Sequence, residues 1–161
     1  SKKYVLLVDD NAFGIGSIAA ILSVLKYEVT IAKDGKQGVE LFHSHVKEGV
    51  LFHLILMDLI MPVMNGYDAT AEIRHLENTM NFSHADRHYI CGISGEVNDG
   101  IEKRCRNCGM DNIISKPIKK DMVEDLLKLN ENRSNILGGN VERVERVRNV
   151  LHMNELTILD Q

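Results

Sequence analysis

The sequence predicts a doubly wound α/β fold, a (βα)5 arrangement with one parallel five-stranded sheet. Two observations support this prediction. Five short apolar runs rich in Val, Ile and Leu recur along the 161 residues, and each is continuous, as in strands covered on both faces. Helix-period segments alternate with these runs, which favours parallel strands joined by right-handed crossovers.

The first two strand–helix units are marked by apolar runs and by the turn between them. Strands are predicted at 4–8 and 29–32, and helices at about 13–26 and 36–48. Asp34-Gly35 predicts the turn that opens the second helix. These boundaries leave short connections, as is usual in α/β units.

The remaining three units repeat the same order. Their predicted strands are 54–57, 89–93 and 112–115, and their predicted helices are about 66–77, 97–108 and 119–129. Pro62 and Gly66 lie in the loop that opens the third helix, and Gly109 ends the fourth. The polar connection 78–88 is longer than a usual αβ loop, so we expect a mobile surface excursion there.

A linker and one more helical segment follow the fifth unit. We therefore divide the chain into a domain at 1–130 and a linker with an amphipathic helical extension at 131–161. The apolar side chains of the predicted helix 141–156 lie close to one face. They are Val141, Val144, Val147 and Leu151. Two interpretations stay open, a helix folded back on the domain and a stalk or dimer helix that joins a neighbouring copy.

Composition excludes several classes of protein. Hydrophobic residues make up 44% of the chain and charged residues 26%, as in a soluble globular protein. A net charge of -4 argues against a nucleic-acid-binding surface. No apolar run approaches the ~20 residues of a membrane helix, and the start has no signal-peptide layout. We expect a cytoplasmic domain without nucleic-acid or membrane partners, trimmed from a longer protein because the initiator Met is missing.

Charged side chains directly follow three of the predicted strands. Asp9 and Asp10 follow the first, Asp58 the third and Lys116 the fifth. In a doubly wound sheet the carboxyl ends of the strands meet at one crevice. Mg²⁺ prefers oxygen ligands and needs only one or two carboxylates when a phosphate completes the set. The three carboxylates therefore predict a site for Mg²⁺ or Mn²⁺.

The same crevice predicts phosphoryl transfer to an aspartate. One oxygen of Asp58 can bind the ion while the other attacks phosphorus, which gives an acyl phosphate. Lys116 can neutralise a phosphoryl oxygen, and Ser94, directly after the fourth strand, offers a hydroxyl donor. Each residue alone could be a helix cap or part of a turn. Together, each at the end of its own strand, they indicate a site.

Four motifs occur in the order and spacing of a known family. VDDN, MDLIMPVMNGYDAT, ISGE and ISKPI resemble the receiver domain of two-component response regulators and hybrid sensor histidine kinases, over roughly residues 3–130. The resemblance implies a flavodoxin-like fold and these roles: Asp58 as phosphoacceptor, Asp9 and Asp10 as the acidic pair, Ser94 as the switch hydroxyl, Lys116 as the invariant-type lysine and Ile60 as a backbone carbonyl ligand of the metal. It also implies a cis Lys116-Pro117 bond and a phosphohistidine donor, on a histidine kinase or a histidine phosphotransfer protein.

The chain departs from the family pattern at three positions. Ile113 occupies the place of an aromatic switch residue, so the switch must depend on Ser94 and its loop. Ile60 cannot orient a hydrolytic water, and Glu96 would repel an attacking hydroxide. We therefore expect slow self-dephosphorylation. Because a phosphoryl group can draw Ser94 and Lys116 toward it and move the loops that carry them, we expect the face around 97–129 to report phosphorylation.

Parts of the sequence also suggest three rival functions. A receiver-fold interaction module that is never phosphorylated stays open. A nucleotide-binding oxidoreductase is suggested by the pattern from Gly14 to Ala19, but DDNAF separates it from the strand, so these glycines are expected within the first helix. An aspartyl-phosphate phosphohydrolase would require two aspartates in a D-x-D motif, whereas Asp58 is followed by Leu59 and Ile60.

Overall fold

The computed structural model describes residues 2–136 and 140–159, and its five strands form one parallel sheet in the order β2-β1-β3-β4-β5. The strands are β1 (Tyr4–Val8), β2 (Glu28–Ala32), β3 (Leu54–Asp58), β4 (Ile90–Ser94) and β5 (Asn112–Ser115). The helices are α1 (Ala12–Val24), α2 (Gly35–Lys47), α3 (Gly66–Thr79), α4 (Asp99–Cys108), α5 (Lys120–Ile136) and α6 (Asn140–Leu159). The predicted doubly wound fold is confirmed.

The sheet separates two apolar layers. One layer packs α1 and α5 against the side chains of Val5, Leu7 and Leu56. The other packs the remaining helices against the opposite side of the same strands, where Leu6 and Met57 lie. Successive side chains of a strand point to opposite faces, so runs such as YVLLV must be apolar throughout.

Short polar side chains begin four of the helices directly after a strand or its loop. Asn11, Asp34, Asn65 and Asn98 each accept a hydrogen bond from a backbone N–H of the first turn. Gly109 ends α4 with a φ of 109°, in the left-handed region that favours glycine. These caps place each helix start at the carboxyl edge of the sheet, close to the predicted crevice.

The helix predicted to end at 129 continues to Ile136, so the linker predicted from 131 is helical in its first part. Asn and Ser are weak helix formers, but no Gly or Pro interrupts the stretch before residue 138. Tertiary contacts stabilise it, because the side chain of Asn130 donates to the carbonyl of His53 and Arg133 donates to that of Arg87. Residues 137–139 of the predicted linker lie outside the described residues.

The extension folds back on the domain as helix α6. Val147 is 2% exposed and belongs to the core, and Val144 and Leu151 pack against the same cluster. The side chain of Val141 lies outside the described part of the chain. The described apolar side chains of this face pack against the domain, so the structure favours the fold-back interpretation.

The connection 78–88 is anchored at its end, where the chain enters β4. His88 is fully buried, and its Nδ1 lies 3.0 Å from Oε2 of Glu77. Arg74 donates to Oε1 of Glu77 at 2.8 Å and to the carbonyl of His88 at 2.8 Å. The guanidinium also reaches Asp111 at 2.9 Å. Asp86 and Arg87 are paired with Arg146 and Asp111, whereas Asn81, Ser83 and His84 are exposed, as the polar composition suggested.

Burial lowers the pKa of His88 to about 4, because the imidazolium would lose its hydration, and the hydrogen bond to Glu77 only partly offsets this. Its Nε2 finds no hydrogen-bond partner among the described residues, so a second proton would have no acceptor. The unfolded chain binds that proton near pH ~6.5. The stability that His88 contributes is therefore present above pH ~6.5 and is lost as pH falls toward the folded-state pKa.

We expect the free energy of unfolding to fall by about 3 kcal/mol through His88 between pH ~6.5 and ~4. Urea unfolding across this interval measures the effect. His88→Asn keeps a donor near the position of Nδ1 and does not titrate, so its stability should depend less on pH. Burial also lowers the pKa of His53 to about 4, with the same sign, and this contribution is common to both proteins. Identical pH profiles would contradict the assignment.

Candidate functional site

The register of the sheet brings the predicted site residues together. Val8 pairs with Met57 across β1 and β3, which sets the acids that follow β1 beside Asp58. Ser94 pairs with Ser115 across β4 and β5, which sets Lys116 one residue further along. In this parallel sheet the crevice lies between β1 and β3, where the order of the strands reverses.

Three carboxylates form an acidic cluster at this edge. One oxygen from each of Asp9, Asp10 and Asp58 lies within 4.8 Å of the others. Asp9 is fully buried; its Oδ1 accepts the backbone N–H of Asn11 at 2.9 Å, and its Oδ2 finds no partner among the described residues. A buried carboxylate oxygen without a donor needs a counterpart. This set of hard oxygens fits a divalent cation such as Mg²⁺.

The electrostatics of Asp58 favour a divalent cation as its neighbour. Burial raises the pKa of this carboxyl to about 6, and the charge of Asp9 adds to the effect, while Lys116 opposes it. Nζ of Lys116 lies 3.3 Å from Oδ2 of Asp58. One ammonium does not offset burial and a neighbouring carboxylate, whereas a divalent cation would favour the ionised form.

The last residue of β4, Ser94, carries the predicted switch hydroxyl. Oγ of Ser94 donates to the carbonyl of Glu96 at 2.5 Å and accepts its N–H at 3.2 Å. The hydroxyl is thus engaged within its own loop. The carboxylate of Glu96 is exposed and accepts a hydrogen bond from Asn98 at 3.2 Å. Ile113, at the position of the aromatic switch residue, packs half-buried against the core.

The loop after β3 surrounds the predicted phosphoacceptor closely. A Cβ built on Gly66 would lie 2.0 Å from the carbonyl oxygen of Asp58, so only glycine fits there. Ile60 directs an 81% exposed side chain to solvent, and its carbonyl remains a predicted metal ligand. The predicted cis bond between Lys116 and Pro117 is confirmed.

Sequence reasoning missed an apolar rim around the crevice. Phe13, Ile60 and Val63 are 88%, 81% and 78% exposed. A cavity of about 370 Å³ opens beside Asp9 and Lys116. Its other walls are Asn11, Phe13, Gly14, Ser17, Ile18, Pro117 and Ile118. The sequence signal that could have indicated this rim is the segment of α1, which has no charged residue although it lies at the surface.

The structure also tests the rival nucleotide-binding pattern. Gly14 and Gly16 lie within α1, as predicted, and not in the turn that would hold a pyrophosphate. In the described part of the chain, no helix combines the length and apolar character that crossing a bilayer requires.

Comparisons with known proteins agree on one family. A family model, the response regulator receiver domain, matches residues 5–128. Hybrid signal transduction histidine kinase I of Dictyostelium discoideum is 29% identical over 137 residues, which cover 81% of this chain and 8% of the kinase. The chain thus spans a small part of that curated relative.

Two solved structures share the fold. The receiver domain of a sensor histidine kinase from Pseudomonas aeruginosa, with a magnesium ion coordinated in its active-site cleft, is 32% identical. The match has a TM-score of 0.66 and covers 80% of this chain and 97% of that one. A Saccharomyces cerevisiae receiver domain, crystallised with its histidine phosphotransfer signalling protein, is 24% identical with a TM-score of 0.68, covering 79% and 88%.

Proposed function

The chain belongs to the response regulator receiver domain family, and from that premise we propose that Asp58 accepts a phosphoryl group in a phosphorelay. The observation that carries the proposal is the acidic cluster within 4.8 Å, with Lys116 3.3 Å from Asp58. We propose Mg²⁺, or Mn²⁺ with the same ligand preference, as the ion held by Asp9, Asp10, Asp58 and the carbonyl of Ile60. A bound divalent cation would neutralise charge on the phosphoryl oxygens.

The chain's own groups have distinct tasks in this transfer. A carboxylate oxygen of Asp58 forms the new O–P bond while the N–P bond of a phosphohistidine breaks, and its electron pair returns to the imidazole nitrogen. Lys116 pairs with a phosphoryl oxygen. Ser94 can turn from the carbonyl of Glu96 to donate to another oxygen. These steps require positioning and charge neutralisation more than covalent chemistry from the protein.

The apolar rim supports a protein donor. Phe13 projects from a helix without charged residues, and Ile60 and Val63 are exposed on the loop that follows Asp58. Exposed apolar side chains grouped around a polar site are typical of protein interaction surfaces. We propose that a histidine phosphotransfer protein or a histidine kinase docks here, and that the chain is the receiver part of a longer hybrid kinase.

The test is phosphorylation of the full chain by acetyl phosphate with Mg²⁺. Intact-mass spectrometry should show one added phosphoryl group, which hydroxylamine removes as expected for an acyl phosphate. Chelation of the metal should prevent uptake. Absence of uptake from acetyl phosphate and from a phosphorylated phosphotransfer protein would favour the alternative, an interaction module that is not phosphorylated.

We expect the phosphorylated chain to lose its phosphoryl group slowly, because Ile60 offers no group to orient an attacking water. Ile60→Asn supplies an amide at the exposed rim and should shorten the lifetime about tenfold. The rate of phosphate release after removal of the donor measures this. Val63→Asn, on the same loop, is the matched control and should leave the lifetime unchanged. A native lifetime of seconds would contradict the expectation.

A further inference from the structure

Helix α6 is held to the domain largely by arginines. Arg143 is buried, and its Nε and Nη2 donate to the carbonyl of Asp86 at 2.9 and 2.7 Å. Arg146 donates to Oδ1 of Asp86 at 2.7 Å. Arg148 donates to the carbonyl of Gly49 at 3.1 Å. Helix α6 therefore binds the segments that lead into β3 and β4, at the edge of the sheet opposite the crevice.

The free energy of this docking is expected to be small. Burial lowers the pKa of Arg143 to about 10, so the guanidinium is still charged at neutral pH but has lost most of its hydration. A buried charge costs several kcal/mol before its pairing partners offset it. Val147 alone of the described apolar stripe is fully buried, while Val144 and Leu151 are half-buried. Because the net free energy of docking is small, α6 can detach while the rest of the domain stays folded.

Helix α5 connects this region to the crevice. It begins at Lys120, shortly after Lys116, and its 17 residues span about 25 Å. Near its far end Arg133 donates to the carbonyl of Arg87 at 3.1 Å. The carbonyl of the preceding residue, Asp86, is the one that Arg143 binds. Helices α5 and α6 thus hold two consecutive carbonyls.

We propose that α6 is a strap whose docking is coupled, through α5, to occupancy of the crevice by a phosphoryl group. The proposal rests on the proposed function. A phosphoryl group on Asp58 draws Lys116 toward it and moves the start of α5. When α5 moves, Arg133 carries the carbonyl of Arg87 with it, and the neighbouring carbonyl of Asp86 shifts away from Arg143. Occupancy of the crevice therefore weakens the docking of α6. Coupling of this kind is reciprocal, so a loosened strap must favour occupancy.

Hydrogen exchange of the full chain tests the forward direction, with Mg²⁺ alone and with Mg²⁺ plus beryllofluoride. Amides at 143–155 should exchange at least about fivefold faster with beryllofluoride. The loop 59–66 reports binding independently and should become more protected. A protected loop with unchanged exchange at 143–155 would overturn the strap. If the loop does not respond either, the proposed function fails, and the strap with it.

Arg146→Gln tests the reverse direction, because it weakens the strap far from the crevice. Beryllofluoride should bind this variant about fivefold more tightly than the native chain at the same Mg²⁺ concentration. Glu155→Gln, exposed on the same helix, is the matched control and should bind as the native chain does. Equal affinity in the two variants would overturn the coupling.

Discussion

Asp58→Asn is expected to lower phosphoryl uptake from acetyl phosphate by at least about a thousandfold, because the amide offers no anionic oxygen to attack phosphorus. Substitution is nearly isosteric, so the fold should be retained. Removing the carboxylate also removes one of the three acids grouped within 4.8 Å, so Mg²⁺ affinity should fall as well. Intact-mass spectrometry measures uptake, and a Mg²⁺ titration followed by NMR measures binding.

Two further variants separate the nucleophile from its surroundings. Asp125→Asn alters an exposed aspartate of α5 and should leave uptake unchanged. Lys116→Gln keeps the nucleophile but removes the ammonium 3.3 Å from it, so uptake should fall by a smaller factor, about ten to a hundred. Full uptake by Asp58→Asn would show that another residue accepts the phosphoryl group.

The fold and the crevice were predictable because both depend on local signals. Continuous apolar runs indicate strands buried on two faces, and polar residues directly after them indicate the shared carboxyl edge. Asp58 and Lys116 can therefore be identified from the sequence alone. The distance between their side chains depends on how the strands pair, and so does the lack of a hydrogen-bond partner for Oδ2 of Asp9 among the described residues. The pairing of strands cannot be read from any single segment of the sequence.

The docking of α6 and the anchored connection 78–88 were not predictable in the same way. Asp86 and Arg143 are common surface residue types, and only their three-dimensional pairing shows that they are buried. The amphipathic stripe of α6 indicated an apolar face but not what covers it. Likewise, arginine is mostly found at the surface, yet Arg74 links Glu77 and Asp111 inside the domain.

Gly66→Ala is expected to lower the free energy of unfolding by at least about 3 kcal/mol, because its new Cβ would lie 2.0 Å from the carbonyl oxygen of Asp58. The nearest atoms to this Cβ all belong to the backbone of Asp58 and Leu59, so no side-chain rotation relieves the clash. The loop after β3 must move, and with it the predicted metal ligands Asp58 and Ile60. We therefore expect Mg²⁺ affinity to fall at least about tenfold in whatever fraction still folds. Urea unfolding and a Mg²⁺ titration measure the two effects.

Gly16→Ala is the matched control, since it makes the same chemical change in a helix. A Cβ at Gly16 would meet no atom within 4 Å, and alanine has the higher helix propensity. This variant should be more stable than the native chain by about 0.5 to 1 kcal/mol and should bind Mg²⁺ equally well. A steric cause at residue 66 requires that Gly66→Ala lowers the stability and Gly16→Ala raises it. If both variants change the stability in the same direction, the close approach of α3 to β3 does not shape the crevice.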